Sequence, residues 1–489
     1  MSDTTAPHRR HPQPPTRQPA APAHRTTTAR ISVLVTAVLL AALTAVVAGT
    51  VRAGDNESDP GRLLAGYAVA WTLFAAAAWA VRKAPARAAT VLVLAGAAAV
   101  ALAALAAPPR TSNDMYRYAW DGRVQAAGVS PYAHPPAAPE LAKLRDDWLF
   151  PADGSCREWG LTRTDSGLCV RINRPTVPTI YPPVAEGWFF AVHVLSPPHS
   201  RHKPVQVGGA VLAFGTTLAL LTVGRRRGDP RRAPARAALW GWCPAVPFEA
   251  VNNAHIDTLG VLLAVLALGT AGAGARRGAL LGAATAVKLL PVLFLPGALS
   301  GQRSPARLAR VVSALLAAVA LAYLPYVIAS GPHVLGYLPG YLQEEGYDPG
   351  HVRRFALLRL LLPDSAAGVT VIVLLTLTAL AVWWRGDPAR PWRGALVLTG
   401  TALLLVSPSY PWYSLLVVGL VALDGRWEWL TVTVAGTVLY LGGRLLPGFP
   451  LQAWAYGMAA VCVALGACLR AAAARRFPER RRGPCRSGT

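Results

Sequence analysis

Residues 111–132 read TSNDMYRYAWDGRVQAAGVSPY and begin just after two prolines that close a long apolar run. An apolar stretch of 18 or more residues is long enough to cross a bilayer. The run ending near Ala107 therefore delivers Asp114, Tyr116, Arg117, Tyr118, Asp121 and Arg123 to one membrane face. Carboxylates are proton acceptors and guanidiniums bind phosphate in bidentate fashion, so this segment carries the makings of acid–base and phosphate chemistry. Asp114 is the first carboxylate beyond the span and the candidate base. Asp121 follows it by seven residues, close to the same face of a helix at 3.6 residues per turn. The competing reading is structural: Tyr and Trp form an interfacial belt, and Asp121 pairs with Arg117 or Arg123.

Further polar groups interrupt apolar runs downstream. Asn252, Asn253, His255 and Asp257 lie together at a helix junction, and Lys288 stands alone inside AVKLLPVLFLP. Ionisable groups at membrane depth face a cavity or a partner. Asn253, His255 and Asp257 are thus candidate substrate contacts, with a hydrogen-bonded helix-end histidine as the alternative for His255. Lys288 either meets a phosphate or pairs with Glu249. Arg353 and Arg354 are further phosphate candidates, or anchors for lipid headgroups.

The elements that must hold these groups follow from composition. The chain has 489 residues, 53% hydrophobic and 15% charged, which marks an all-α polytopic membrane protein. Its net charge of +24 would suggest nucleic acid if the arginines formed one patch. They recur instead in short bursts between apolar spans, at 82–87, 225–236, 276–277, 303–310, 385–393 and 470–486. That is the positive-inside pattern, so no nucleic-acid partner is expected.

Apolar runs fall at about 31–51, 63–82, 88–107, 204–223, 237–251, 256–275, 278–300, 308–329, 365–384, 394–407, 411–424, 427–446 and 452–470. Keeping every basic burst inside requires 278–300 to enter and return, with a break near Lys288 and Pro291. About fourteen membrane segments then put both termini in the cytoplasm. Residues 1–30 read as a disordered cytoplasmic tail, 31–107 as three N-terminal transmembrane helices, and 108–203 as an extracytoplasmic catalytic loop. Residues 204–472 form the remaining bundle with an outer loop at 330–364, and 473–489 a basic cytoplasmic tail. PPVAEGWFFAVHVLS, residues 182–196, is short and aromatic and reads as an interfacial helix. Cys156 and Cys169 share the outer loop, where an oxidising environment favours a disulfide.

The order NDMYRYAWDG, GVSPY, TIYPPVAEGWFF, NNAHIDTLGVLLAVLAL and AVKLLPVLFLPGAL resembles the C-type glycosyltransferase superfamily over roughly residues 100–420. It looks closest to glycosyltransferase family 87 and related bacterial polyprenyl-phosphomannose-dependent α-mannosyltransferases. The resemblance implies transfer of a sugar, mannose first among candidates, from a polyprenyl phosphate to a glycan or glycolipid of the cell envelope, with inversion. It places the site on the extracytoplasmic face of a bacterial plasma membrane. Asp114 and Asp121 would then be catalytic. Tyr116, Arg117, Tyr181, Asn253, His255, Asp257, Lys288, Arg353 and Arg354 would bind substrate. No cofactor is fixed by the sequence and a divalent metal is left open, because Asp114 and Asp121 do not form a tight Asp-x-Asp pair. The two spans ahead of the acidic segment are extra to the minimal family plan. A polyprenyl-lipid or small-molecule transporter and a non-catalytic envelope-assembly protein are the competing readings.

Overall fold

The computed structural model describes residues 22–152, 156–347 and 354–476. Most of the expected 1–30 tail and the end of the 473–489 tail lie outside the described residues. The chain opens with helices α1 (Pro22–Thr50), α2 (Pro60–Ala80) and α3 (Ala86–Ala104). The expectation of a disordered tail up to residue 30 fails for its last residues, since α1 already begins at Pro22. A formed helix extends at one hydrogen bond per residue, so the 31–51 run carries the turns ahead of it.

Helices α4 (Asp114–Ala126) and α5 (Pro183–Leu195) follow, flanking a hairpin of β1 (Thr162–Arg163) and β2 (Cys169–Val170). The disulfide joins Cys156 to Cys169 at the base of this hairpin, as expected. Next come α6 (Lys203–Arg227), α7 (Ala233–Gly241), a π-helical stretch over Val246–Asn252, α8 (Asp257–Gly269) and α9 (Ala275–Thr285). The rest are α10 (Leu295–Ala298), α11 (Pro305–Ser330), α12 (Leu338–Leu342), α13 (Asp364–Arg385), α14 (Pro391–Val406), α15 (Leu415–Asp424), α16 (Leu430–Gly442) and α17 (Leu451–Arg476).

Seven helices (α1, α2, α3, α6, α11, α13 and α17) are long and apolar enough to cross a membrane by length and composition. The π-helical stretch and α8, bent by 113° at their junction, make eight if counted as one broken span. This falls short of the expected count of about fourteen, and helix length is the reason. The 394–407 and 427–446 runs become helices of 16 and 13 residues, α14 and α16. At 1.5 Å per residue, 13 residues reach only about 20 Å of a ~30 Å hydrocarbon core. The 278–300 run does break at Lys288, between α9 and a 3-10 turn over Leu290–Phe294.

Small residues let the helices approach closely. A Cβ on Gly278 or Gly282 of α9 would meet Val311 O of α11 at 2.1 Å or Leu315 O at 2.4 Å. This small-xxx-small spacing is a recurrent membrane-helix packing device. Gly122 does the same for α4, where a Cβ would meet Phe189 O of α5 at 2.4 Å. The main core gathers α1–α3, α6–α9 and α14–α16. α4 is buried on two faces: Met115 and Tyr118 pack with Tyr181, Phe189 and Ile256, while Tyr116, Trp120 and Val124 pack with Leu149, Phe150 and Ile172. α5 leaves Phe190, Val194 and Leu195 exposed, the apolar outer face that an interfacial helix requires.

Candidate active site

The site is assembled from three chain breaks. α3 ends before Pro108–Pro109, and α4 starts at Asp114. A carboxylate in the first turn of a helix is favoured by the unsatisfied amides there. The second break separates the π-helical stretch from α8, with Ala254 in left-handed backbone at φ +53°. Asn252 fixes this break to the end of α3 by donating to Ala104 O at 3.0 Å and Ala107 O at 3.1 Å. Asn253 donates to Thr111 Oγ1 at 2.6 Å and Glu249 Oε2 at 2.9 Å. Its amide is therefore committed to holding the α4 approach and does not line the chamber described below. The third break, after α9, carries Lys288.

These breaks bring Asp114, His255, Asp257 and Lys288 together. Asn173 donates a hydrogen bond to Asp114 Oδ1. His255 Nδ1 lies 3.6 Å from Asp114 Oδ2, and its Nε2 lies 3.5 Å from Glu249 Oε2. The imidazole is buried and stacks on Trp412 with ring centroids 4.0 Å apart. Lys288 Nζ sits 2.7 Å from Asp257 Oδ2 and 4.8 Å above the Tyr413 ring. Pairing of Lys288 with Glu249 is thus corrected. The 113° bend puts Asp257 at the start of α8 in front of the lysine, while Glu249 is taken by Asn253, Tyr67 and His255.

A chamber of about 870 Å³ opens over this cluster. Asp114, Tyr181, Lys288 and Arg354 line it, together with Asn173 and Arg174, which the sequence did not single out. Tyr341, Tyr410, Trp412, Tyr413 and Tyr440 supply an aromatic wall. Leu289, Val292, Leu293, Leu338 and Leu342 make another side apolar. Trp159 and Leu161, in the disulfide-closed loop, complete it.

Burial raises the Asp114 carboxyl above the ordinary aspartate range, opposed by Arg174, Lys288 and the Asn173 hydrogen bond. Burial also works against the charge of Arg174, but its bond to Glu344 and the proximity of Asp114 outweigh it, so the guanidinium stays charged. Arg174 Nε lies 2.5 Å from Glu344 Oε2, and its backbone holds φ +46°, a costly conformation for a non-glycine residue. Arg354 is buried, pairs with Glu345 and reaches Ser409 Oγ at 3.5 Å. Arg353 lies outside the described residues.

Asp121 does not share the chamber. On a straight helix its seven-residue offset from Asp114 is roughly 10 Å of axial rise. Its Oδ1 accepts from Arg117 Nε at 2.8 Å, and both side chains are buried. Arg117 also donates to Val177 O at 3.1 Å, tying α4 to the strap that carries Asn173 and Arg174. Tyr116 packs edge-on to Trp148 at 5.7 Å in a separate core, again away from the chamber. Glu186 of α5, unassigned from the sequence, is fully buried; Thr179 donates to it at 2.7 Å and Gln125 at 2.9 Å. Burial and the neighbouring Asp121 push its carboxyl well up. A lone acid in an apolar aromatic helix was the available signal. Asn173 and Arg174 sit in an irregular strap without periodicity, and nothing local marks them. Among the described residues no group of three or more His, Cys, Asp or Glu side chains is arranged to hold a metal ion.

The family model of glycosyltransferase family 87 matches residues 180–408. No curated protein and no solved structure matches the chain. The matched region contains Tyr181, Asn253, His255, Asp257, Lys288 and Arg354, and it starts downstream of Asp114 and Asp121. With the seven membrane-length helices it points to a membrane glycosyltransferase, using a sugar donor and an acceptor.

Proposed function

We propose that the chain moves a sugar, mannose in the first instance, from a polyprenyl phosphate to a hydroxyl of a cell-envelope glycan or glycolipid with inversion. The observation that carries this reading is the composition of the chamber. Asp114 and the cations Lys288, Arg174 and Arg354 share about 870 Å³ with an aromatic wall and a side of leucines and valine. The other acids of the lining, Glu345 and Glu57, are paired with Arg354 and Arg444.

Asp114 takes the proton of the acceptor hydroxyl, whose oxygen forms the new bond to the anomeric carbon. The bond from that carbon to the phosphate oxygen breaks, and polyprenyl phosphate departs with the electron pair. A phosphate leaves as a stable anion and needs no general acid, but its growing charge must be met by fixed cations. Lys288, aimed by Asp257, and Arg174 and Arg354, aimed by Glu344 and Glu345, fill that role. The sugar passes through an oxocarbenium-like state, and Trp412, Tyr410 and Tyr413 keep water from intercepting it. The apolar side accepts the isoprenoid chain. Asp121, Arg117 and Tyr116 act through the position of α4 rather than on substrate. The basic bursts support placing the chamber on the extracytoplasmic face of the plasma membrane, with both termini inside.

The test offers reconstituted protein labelled polyprenyl-phosphate mannose, other polyprenyl-phosphate sugars, and nucleotide sugars, with envelope lipid as acceptor. Transfer from a polyprenyl-phosphate sugar is expected. Transfer from nucleotide sugars alone would overturn the donor assignment.

A further inference from the structure

A second cavity, of about 660 Å³, lies on the other side of α4, walled by α5, the first turns of α6 and residues 143–148. One side is apolar: Val192 of α5 shares the lining with Val205, Gly209 and Leu212, which are spaced four and three apart on one face of α6. α6 is a membrane-length helix that begins at Lys203, so this side runs along a span. Trp188 joins this apolar side, packing with Val192 against Gly208, and the lining also carries Arg123, Lys143, Arg201 and Trp148. Arg123 is already engaged, 2.5 Å from Asp146 Oδ2 and 3.1 Å from Leu144 O. Asp146 is the sole carboxylate in the lining, and that contact neutralises it. Lys143 and Arg201 are exposed and, among the described residues, make no ion pair or side-chain hydrogen bond.

The cavity is closed toward the chamber. Tyr118 stacks on Phe189 at 4.4 Å and meets Tyr181 edge-on at 5.0 Å, with Met115 and Ile256 packed around them. An occupant therefore does not reach Asp114. Two uncommitted cations, Arg201 just ahead of α6 and Lys143 of the 139–144 turn, share one cavity with an apolar groove along the span and form a headgroup-and-chain site.

We infer that this cavity seats an anionic phospholipid of the surrounding bilayer, with its phosphate against Lys143 and Arg201 and an acyl chain along the Val205–Leu212 face. The bound lipid would brace α4 and α5 from behind the chamber. The site stands whether or not the chain transfers sugar.

The test uses full-length protein stripped of lipid in detergent. Thermal unfolding is followed against added dioleoyl phosphatidylglycerol, dioleoyl phosphatidylcholine and inorganic phosphate, and retained lipid is counted by native mass spectrometry. Phosphatidylglycerol should stabilise the protein beyond phosphatidylcholine. In Lys143→Ala/Arg201→Ala its half-saturating concentration should rise about thirty-fold, at roughly fivefold per cation near an anionic surface. Lys143→Arg/Arg201→Lys should restore it. Equal responses to the two lipids, or unchanged phosphatidylglycerol affinity in the alanine variant, would overturn the site. Equal protection by inorganic phosphate would remove the acyl-chain half of the assignment. Competitive inhibition of transfer by phosphatidylglycerol against the acceptor would hand the cavity to the acceptor and overturn the bilayer-lipid reading.

Discussion

Replacing Lys288 by methionine separates its two roles, because the structure names the partner left behind. Asp257 is 1% exposed as a side chain, and Lys288 is 20% exposed toward the chamber. Asp257 Oδ1 has no hydrogen-bond partner among the described residues, so the ammonium on Oδ2 is its main compensation. Breaking a buried pair by removing one partner costs about 3–5 kcal/mol. The exposed end of Lys288 lets some solvent in and puts the expectation near about 3 kcal/mol. In Lys288→Met/Asp257→Asn the stranded charge disappears, and most of that loss should return. Activity should not return with it. One preorganised charge on a developing anion contributes about 10²–10³ in rate, and the double variant still lacks that charge. The assay compares monodisperse detergent-extracted yield, unfolding midpoint and transfer rate for wild type, single and double variants. A double variant that folds normally but transfers at least about 100-fold more slowly is expected. Wild-type turnover in the folded double variant would refute the phosphate role of Lys288 and leave it a structural cation.

Asp114 must be ionised to accept a proton, and burial raises its pKa. Transfer should therefore persist above the raised value and be lost as pH falls through it, giving an acid limb above the ordinary aspartate value of about 4. A limb at or below that value would contradict Asp114 as the base. Arg117→Met or Asp121→Asn should destabilise by about 3–5 kcal/mol through a stranded buried charge, and Arg117→Met/Asp121→Asn should recover most of that stability. Asp121→Asn keeps Arg117 on Val177 O, so the folded fraction of that single variant should retain its specific activity. A folded but inactive Asp121→Asn protein would return Asp121 to the reaction. Ser166 is exposed on the β1–β2 turn. Once Cys156 and Cys169 are replaced, a cysteine at Ser166 should react with an impermeant thiol reagent in intact cells. Labelling only after permeabilisation would put the chamber on the cytoplasmic side.

The sequence exposed what depends on hydropathy alone. The long spans α2, α3, α6, α11 and α13 follow their apolar runs closely, α1 starts at Pro22, nine residues ahead of its 31–51 run, and the break at Lys288 follows from an isolated charge beside Pro291. The Cys156–Cys169 bond was legible from two cysteines in one polar loop. Side-chain partners were not legible. Which acid faces Lys288 depends on a 113° bend with Ala254 in left-handed backbone, and no local pattern states that angle. Seven-residue spacing correctly suggested one helical face for Asp114 and Asp121, but axial rise separates them and gives Asp121 to Arg117. Asn173 and Arg174 reach the chamber from a strap anchored by Arg117 on Val177 O, a contact sixty residues apart in the chain. Short helices such as α14 and α16 carry apolar sequence because they are buried among others, which is why apolar runs overcount membrane crossings.

Asp114→Asn tests the central claim most directly. The change keeps the side chain's size and an oxygen that can still accept from Asn173, and it removes the proton acceptor. Because burial disfavours the charged form of Asp114, the variant should be at least as stable as wild type at neutral pH. In reconstituted membranes given labelled polyprenyl-phosphate sugar, donor retention should match wild type, and transfer should fall by about 10²–10⁴-fold, the usual contribution of a positioned base. Near-normal transfer by a stable Asp114→Asn protein would contradict the account and move the base to another group at this site.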